Sequence, residues 1–236
     1  MTAFTGHESL DKYRKPHMAA WAGLQYALFR TGPVASNVVE GGLFWYSGDD
    51  RSIPDLQFHF LAGASAEDCV AGVTPGRSGI TLNCYGLRPK ARGTVRLSSA
   101  DPDHPSLIDP NFMGHPDDLE MTVQGLKTSL EIFAQPALSK YVRKVVLPDD
   151  SLRSDDDLRS FVRNHCRTSY HPVGTCRMGS DDKSVVDTHL VLRGFEGLRV
   201  CDSSVFLSLI GSNTNAPTAM LAEKASDLIS GNVRTR

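Results

Sequence analysis

Four stretches between Gly41 and about Leu107 carry apolar residues at alternate positions, and that period of two restricts this part of the chain to extended strands. They are Gly42-Leu43-Phe44-Trp45-Tyr46, Leu56-Gln57-Phe58-His59-Phe60, Ile80-Thr81-Leu82-Asn83-Cys84-Tyr85 and Thr94-Val95-Arg96-Leu97. In a strand, successive side chains leave on opposite faces, so such runs present one apolar and one more polar surface. Clusters of Gly, Pro, Asp and Ser lie between them, which makes an antiparallel sheet the expected arrangement.

On either side of this region the spacing is helical. Residues 9–31 read mostly as helix, with Met18, Trp21, Leu24 and Leu28 on one broad apolar face. Pro16 either breaks that helix or starts it, and Thr31-Gly32-Pro33 ends it. Pro116-Asp117-Asp118 opens a second helix with acidic groups at its positive end. Its apolar positions are Met121, Val123, Leu126, Leu130 and Phe133, and Gln135-Pro136 stops it. A shorter helix is expected from Asp155 to Cys166, a strand over Leu198 to Asp202, and a last helix over residues 217–230. The fold class is therefore α+β: an antiparallel sheet with helices on one face, followed by a C-terminal strand and helix.

Composition removes several function classes. The formal net charge is −2 with both signs interspersed, so no basic stripe points to nucleic acid. No apolar run reaches the roughly 18 residues a membrane span requires. Met18 to Phe29 follows Lys12, Arg14 and Lys15, yet no small-residue cleavage site comes after it; it reads as an ordinary helix rather than a leader. The cysteines are odd in number (Cys69, Cys84, Cys166, Cys176, Cys201) and form no C-x-x-C pair, so reduced thiols and a cytoplasmic location are expected. His165 and His171, with Cys166 and Cys176 nearby, lack the spacing of a metal site, and no metal is expected.

Two distant stretches carry the chemistry. Tyr170-His171-Pro172-Val173-Gly174-Thr175-Cys176-Arg177-Met178-Gly179 holds a histidine on a loop constrained by proline and glycine. An imidazole titrates near neutrality, so it can take and hold an alcohol proton. The second stretch, Gly211-Ser212-Asn213-Thr214-Asn215-Ala216-Pro217-Thr218, runs into the last helix. A carboxamide such as Asn213 can donate a hydrogen bond to an alkoxide-like oxygen without acting as a competing base. Asn213 is equally suited to cap the helix, as are Thr214 and Asn215. The positive helix end favours an anionic group such as a reduced flavin. Asp202 suits a hydroxyl-bearing cofactor chain, while Asp202-Ser203-Ser204 also has the composition of a simple turn.

These residues resemble the glucose–methanol–choline oxidoreductases, which are flavin-dependent alcohol oxidoreductases. The similarity runs through His171 to Gly179, Val185-Val186-Asp187, Gly197 to Ser204, Asn213 to Thr218 and Ala222-Glu223-Lys224-Ala225. Upstream it includes Gly32 to Asn37, Pro54 to Phe60, Arg88 to Val95 and Ile108-Asp109-Pro110-Asn111, and its style is closest to the choline-dehydrogenase-like branch. The resemblance implies His171 as catalytic base and Asn213 as its partner. It places Asp202, Ser203, Asn213, Thr214, Asn215 and Ala216 along FAD. The implied substrate is a small-molecule alcohol, whose hydride passes to flavin N5, with oxygen or another electron acceptor reoxidising the flavin. Phe58, Phe60 and Trp45 on the sheet are candidate pocket walls.

One departure matters. The family begins with a G-x-G-x-x-G turn that cradles the FAD pyrophosphate. In this sequence no two glycines are separated by a single residue. The resemblance is thus to the C-terminal part of such an enzyme: residues 1–40 a helical remnant of the first domain, 41–175 a substrate-binding domain, and 176–236 a segment completing an FAD-binding domain. The competing reading is a catalytically silent fragment that needs a missing N-terminal FAD-binding segment as its partner. A metal hydrolase, the third reading, lacks both ligand spacing and a placed nucleophile.

Overall fold

The computed structural model describes residues 1–7, 9–64, 77–149, 151–152 and 154–231. Cys69 lies outside them. In chain order the strands are β1 (Thr2–Thr5), β2 (Gly41–Trp45), β3 (Leu56–Leu61), β4 (Gly79–Gly86), β5 (Thr94–Arg96), β6 (Leu107–Asp109) and β7 (Val142–Leu147). The helices are α1 (Pro16–Phe29), α2 (Pro116–Ala134), α3 (Pro136–Ser139), α4 (Asp155–His165) and α5 (Asn215–Ser230). Two compact units form: Met1–Gly86 with Pro116–His165, and Leu87–His115 with Cys166–Arg236. Segment 1–40 is not purely helical, since it supplies β1.

The first unit is a five-stranded antiparallel sheet in the order β2-β3-β4-β1-β7. The register sets Leu43 opposite Phe58 and Phe58 opposite Cys84. Leu56, Phe58, Ile80, Leu82 and Ala3 form the buried core with Phe133 of α2, and Met121 and Ile132 pack at its margin. The mixed α+β class is as expected, with the helix layer on the face that holds Phe58. Gly125 of α2 lets helix and sheet approach closely, because a Cβ there would collide with Sγ of Cys84. Burial pushes the Cys84 thiol up to about 12.

Local chemistry sets the helix ends. Pro16 resolves to the start of α1, at the first helical position, where its missing N–H costs nothing. Arg30 then ends the helix in the left-handed region at φ 55°, its N–H donating to Tyr26 O at 2.9 Å. Before α4, Ser154 and Asp157 cap reciprocally: Asp157 N donates to Ser154 Oγ at 3.1 Å and Ser154 N to Asp157 Oδ2 at 3.0 Å. α4 joins α2 through Arg159, which grips Glu120 at 2.6 and 3.0 Å and holds that carboxyl below its usual range. The expected apolar face of the first helix is not buried: Trp21, Leu24 and Leu28 are all exposed and only Ala22 is covered.

Three sequence expectations change. β1 and β7 were not legible, because Thr2–Thr5 is short and Val142–Leu147 has no strict alternation; long-range pairing with each other and with β4 makes them strands. Thr94–Arg96 does not extend the main sheet but pairs with Leu107–Asp109 as a separate two-stranded ribbon. Leu198–Asp202 is not a strand: Arg199 makes one isolated bridge to Val191. Gly194 and Gly197, at φ 79° and 73°, turn the chain back before a ladder can grow.

The second unit is mostly loop around a small core. Val186, Leu190 and Val205 are buried against Leu221 and Ala225 of α5. Asp187 organises its own loop, with Oδ1 accepting from His189 N at 2.8 Å and Val191 N at 2.9 Å. Among the described residues no helix is long and apolar enough to cross a membrane.

Candidate active site

The second unit brings together the two stretches singled out in the sequence. The histidine loop is pinned by backbone bonds: Cys176 N donates to Ser204 O and Met178 N to Val205 O, both at 2.9 Å. Gly174 supplies the bend at φ 89°. Tyr170, just before the histidine, also lies in the left-handed region at φ 62°. For a non-glycine residue that conformation costs on the order of 1–2 kcal/mol and persists only where surrounding contacts impose it.

Both imidazole nitrogens of His171 are engaged, and by consecutive residues. Asn213 Nδ2 lies 2.7 Å from Nε2, and Thr214 Oγ1 lies 2.8 Å from Nδ1. With this amide orientation Nδ2 donates to Nε2 and the Thr214 hydroxyl accepts from Nδ1–H, while the Thr214 N–H also reaches Nδ1 at 3.5 Å, the contact of the opposite tautomer. The lone pair of Nε2 then accepts from the carboxamide. Residues 171 and 213, distant in the chain, are thus direct neighbours.

Thr214 was expected along a cofactor or as the cap of the last helix; its contact with the imidazole was missed. Adjacency to Asn213 was the available signal, but only the turn into α5 shows that the two side chains reach opposite ring nitrogens. Thr214 is also the residue that caps α5, although its side chain makes no capping bond. Its carbonyl accepts from Thr218 N at 3.0 Å and from Thr218 Oγ1 at 2.7 Å. The capping role considered for Asn213 therefore falls to its neighbour, leaving the carboxamide on the histidine.

The remaining site candidates lie in the same unit. Asp202 performs the turn function: Oδ1 accepts from Ser204 N at 2.8 Å and caps the short 3-10 turn Ser203–Val205. Ser203 Oγ reaches Pro172 O at 3.5 Å, which ties that turn to the histidine loop. Ser204 Oγ is buried without a hydrogen-bond partner among the described residues. Asn215 and Ala216 form the first turn of the 16-residue α5, where no side chain caps the N–H groups. An uncapped helix start, an exposed carboxylate and an orphaned hydroxyl fit a ligand that is both anionic and hydroxyl-bearing. No cluster of three metal-ligating side chains occurs among the described residues.

The aromatic residues proposed as pocket walls are placed differently. Phe58 is fully buried beneath α2 and Phe60 packs on the same core, while Trp45 shares that face by its register with Leu56. The opposite face carries Phe44, Gln57, His59, Asn83 and Tyr85. There Gln57 Nε2 lies 3.1 Å from His59 Nε2, and His59 meets Tyr85 edge-on at 4.8 Å. His59 is half-buried on this face.

Comparison with known proteins agrees with this picture. A family model described as GMC oxidoreductase matches residues 89–222, more than half of the chain. An alcohol dehydrogenase [acceptor] from Pseudomonas putida is 42% identical over 204 residues, covering 86% of this chain and 37% of the relative. An oxygen-dependent choline dehydrogenase from Chromohalobacter salexigens is 37% identical over 225 residues, covering 95% and 39%. A variant of formate oxidase from Aspergillus oryzae RIB40 superposes with a TM-score of 0.88 at 22% identity, covering 99% of this chain and 45% of that one. The chain spans less than half the length of these proteins. A match to the family model over most of its second half, together with an α+β fold shared with solved relatives, makes this chain a member of the GMC oxidoreductase family.

Proposed function

We propose that this chain carries the proton-abstracting part of an FAD-dependent oxidoreductase acting on the CH–OH group of alcohols, with His171 as the base. The single observation that carries the reading is the contact of Asn213 Nδ2 with His171 Nε2 at 2.7 Å. A substrate hydroxyl that displaces this contact donates its proton to Nε2, and the released carboxamide donates to the oxygen left behind. Thr214 Oγ1 accepts from Nδ1–H, which fixes the tautomer and stabilises the imidazolium once the proton has arrived. FAD, when bound, supplies the acceptor for the hydride. The first turn of α5, at Asn215 and Ala216, would hold its negatively charged portion. Asp202 and Ser203 would meet a hydroxyl-bearing stretch of it. The identities to an alcohol dehydrogenase and a choline dehydrogenase support an alcohol as the substrate class.

A second reading, that these 236 residues are silent by themselves, is favoured by two observations. The chain corresponds to only 37% and 39% of those relatives, and it contains no G-x-G-x-x-G turn. The two readings combine: the base resides here, and turnover needs a dinucleotide-binding segment. Absorbance spectroscopy tests this directly. The 236-residue chain should stay colourless with added FAD, whereas co-expression with a segment bearing the glycine-rich turn should give a yellow protein that alcohol bleaches. A yellow, alcohol-reducible chain on its own overturns the second reading. A yellow complex whose reduction by alcohol is unaffected by His171→Ala removes the histidine from its role.

A further inference from the structure

The sheet unit carries an open cleft of about 410 Å3 at the end of β1, lined by residues 4–7, by Arg77 and Ser78, and by Arg143. Its two guanidiniums are positioned by packing, among the described residues. Arg143 lies against Gly6, where an added Cβ would stand 2.5 Å from Nε and 2.9 Å from Nη2. Arg77 stacks over the Phe4 ring at 5.2 Å. His7 is braced edge-on against Tyr141 at 5.0 Å. Among the described residues neither arginine is ion-paired, and neither donates a hydrogen bond.

Two like charges facing one concavity repel each other, and an anion between them turns that repulsion into attraction. Arginine forks match the oxygen geometry of phosphate, and heads already held in place lose little freedom on binding. The chain's net charge is −2, so this positive cleft is a local arrangement rather than a consequence of overall charge. The volume falls within the roughly 300–1,000 Å3 of small-molecule sites and exceeds the needs of a bare ion. We propose that the cleft binds a phosphate ester of a small molecule, with Arg77 and Arg143 clamping the phosphate oxygens and the hydroxyls of Thr5 and Ser78 in reach of the remainder. This goes beyond the oxidoreductase reading and involves none of its residues.

Calorimetric titration of the 236-residue chain with glycerol 3-phosphate and, separately, inorganic phosphate tests it, with chloride holding ionic strength constant. Saturable binding of both ligands is expected, weakened at least about tenfold by Arg143→Gln and by Arg77→Gln. Gly6→Ala retains every charge but displaces the Arg143 head, so it should weaken binding by a similar factor. Circular dichroism identifies variants that fail to fold, and any folded one of the three suffices. Phosphate binding no stronger than that of chloride, or wild-type affinity in the folded variants, overturns the proposal. Binding of inorganic phosphate without glycerol 3-phosphate overturns the assignment to an ester.

Discussion

The sheet unit and the loop-built unit hold their shapes by different means. In the first, Leu56, Phe58, Ile80 and Leu82 are buried at every second position beneath α2, and the backbone follows a regular ladder. In the second, Val186, Leu190 and Val205 form a small core, while side-chain and backbone hydrogen bonds fix the turns. The candidate base lies in the second. Periodic burial gives rigidity, but it directs side chains only up or down. Irregular backbone, with residues such as Tyr170 and Gly174 at positive φ, can aim a single imidazole between two chosen partners.

The comparison predicts that damage to one unit differs in kind from damage to the other. The largest effect should come from His171→Ala in the flavin-loaded complex: alcohol oxidation falls by about 10²–10⁴-fold while the thermal midpoint hardly moves. Stopped-flow flavin reduction beside calorimetry measures both, and a large loss of stability would mean the loop depends on the histidine for its fold. Phe58→Ala is the converse, since it removes the largest fully buried side chain from the sheet core. It should cost about 3–5 kcal/mol in denaturant unfolding. The NMR signals of the His171 ring should stay unchanged, and perturbed signals would show that the two units are not separable in this sense.

A smaller change sharpens the picture of the site. Thr214→Val deletes the acceptor of Nδ1–H yet removes no capping bond, because the threonine side chain makes none. Hydride transfer should slow about tenfold with α5 intact by circular dichroism. An unchanged rate would leave the hydroxyl with no part in orienting the base.

The smallest effect concerns Arg177, in the histidine loop, and Asp181, just after it, which pair at 2.7 and 2.9 Å. The Arg177 hydrogen bond holds the Asp181 carboxyl at about 2, below the usual aspartate range. A depressed acid contributes stability above its unfolded pKa and loses it as pH falls through the folded one. The stability difference between wild type and Asp181→Asn should therefore be constant above about pH 5 and shrink on acidification toward pH 2. Both carboxylate and guanidinium reach solvent, so the difference is small, and one that grows on acidification would contradict the assignment.

How much could be read beforehand follows the same division. β3 and β4 were legible because each alternates apolar and polar residues, β2 because its aromatic run sits between turn residues, and α2 because Val123, Leu126 and Phe133 recur on one face. β1 and β7 were not, since neither has a pattern of its own and each becomes a strand only by pairing with distant residues. The choice of Phe58 and Phe60 as pocket walls failed for a related reason. Alternation separates two faces but does not say which one a helix will cover. His171 and Asn213 were recognisable as a pair of chemical types, but their distance was not, nor was Thr214 on the other nitrogen.

The amino-acid order by itself determined the α+β class, the family and the identity of the imidazole and carboxamide, because period, turn residues and motif are properties of neighbours along the chain. Only the tertiary structure decided which sheet face meets α2, that α5 begins at Asn215, and that consecutive side chains grip opposite sides of one ring. Those outcomes depend on contacts between segments some forty or more residues apart, such as the 42 separating His171 from Asn213, and local preference carries no information about them.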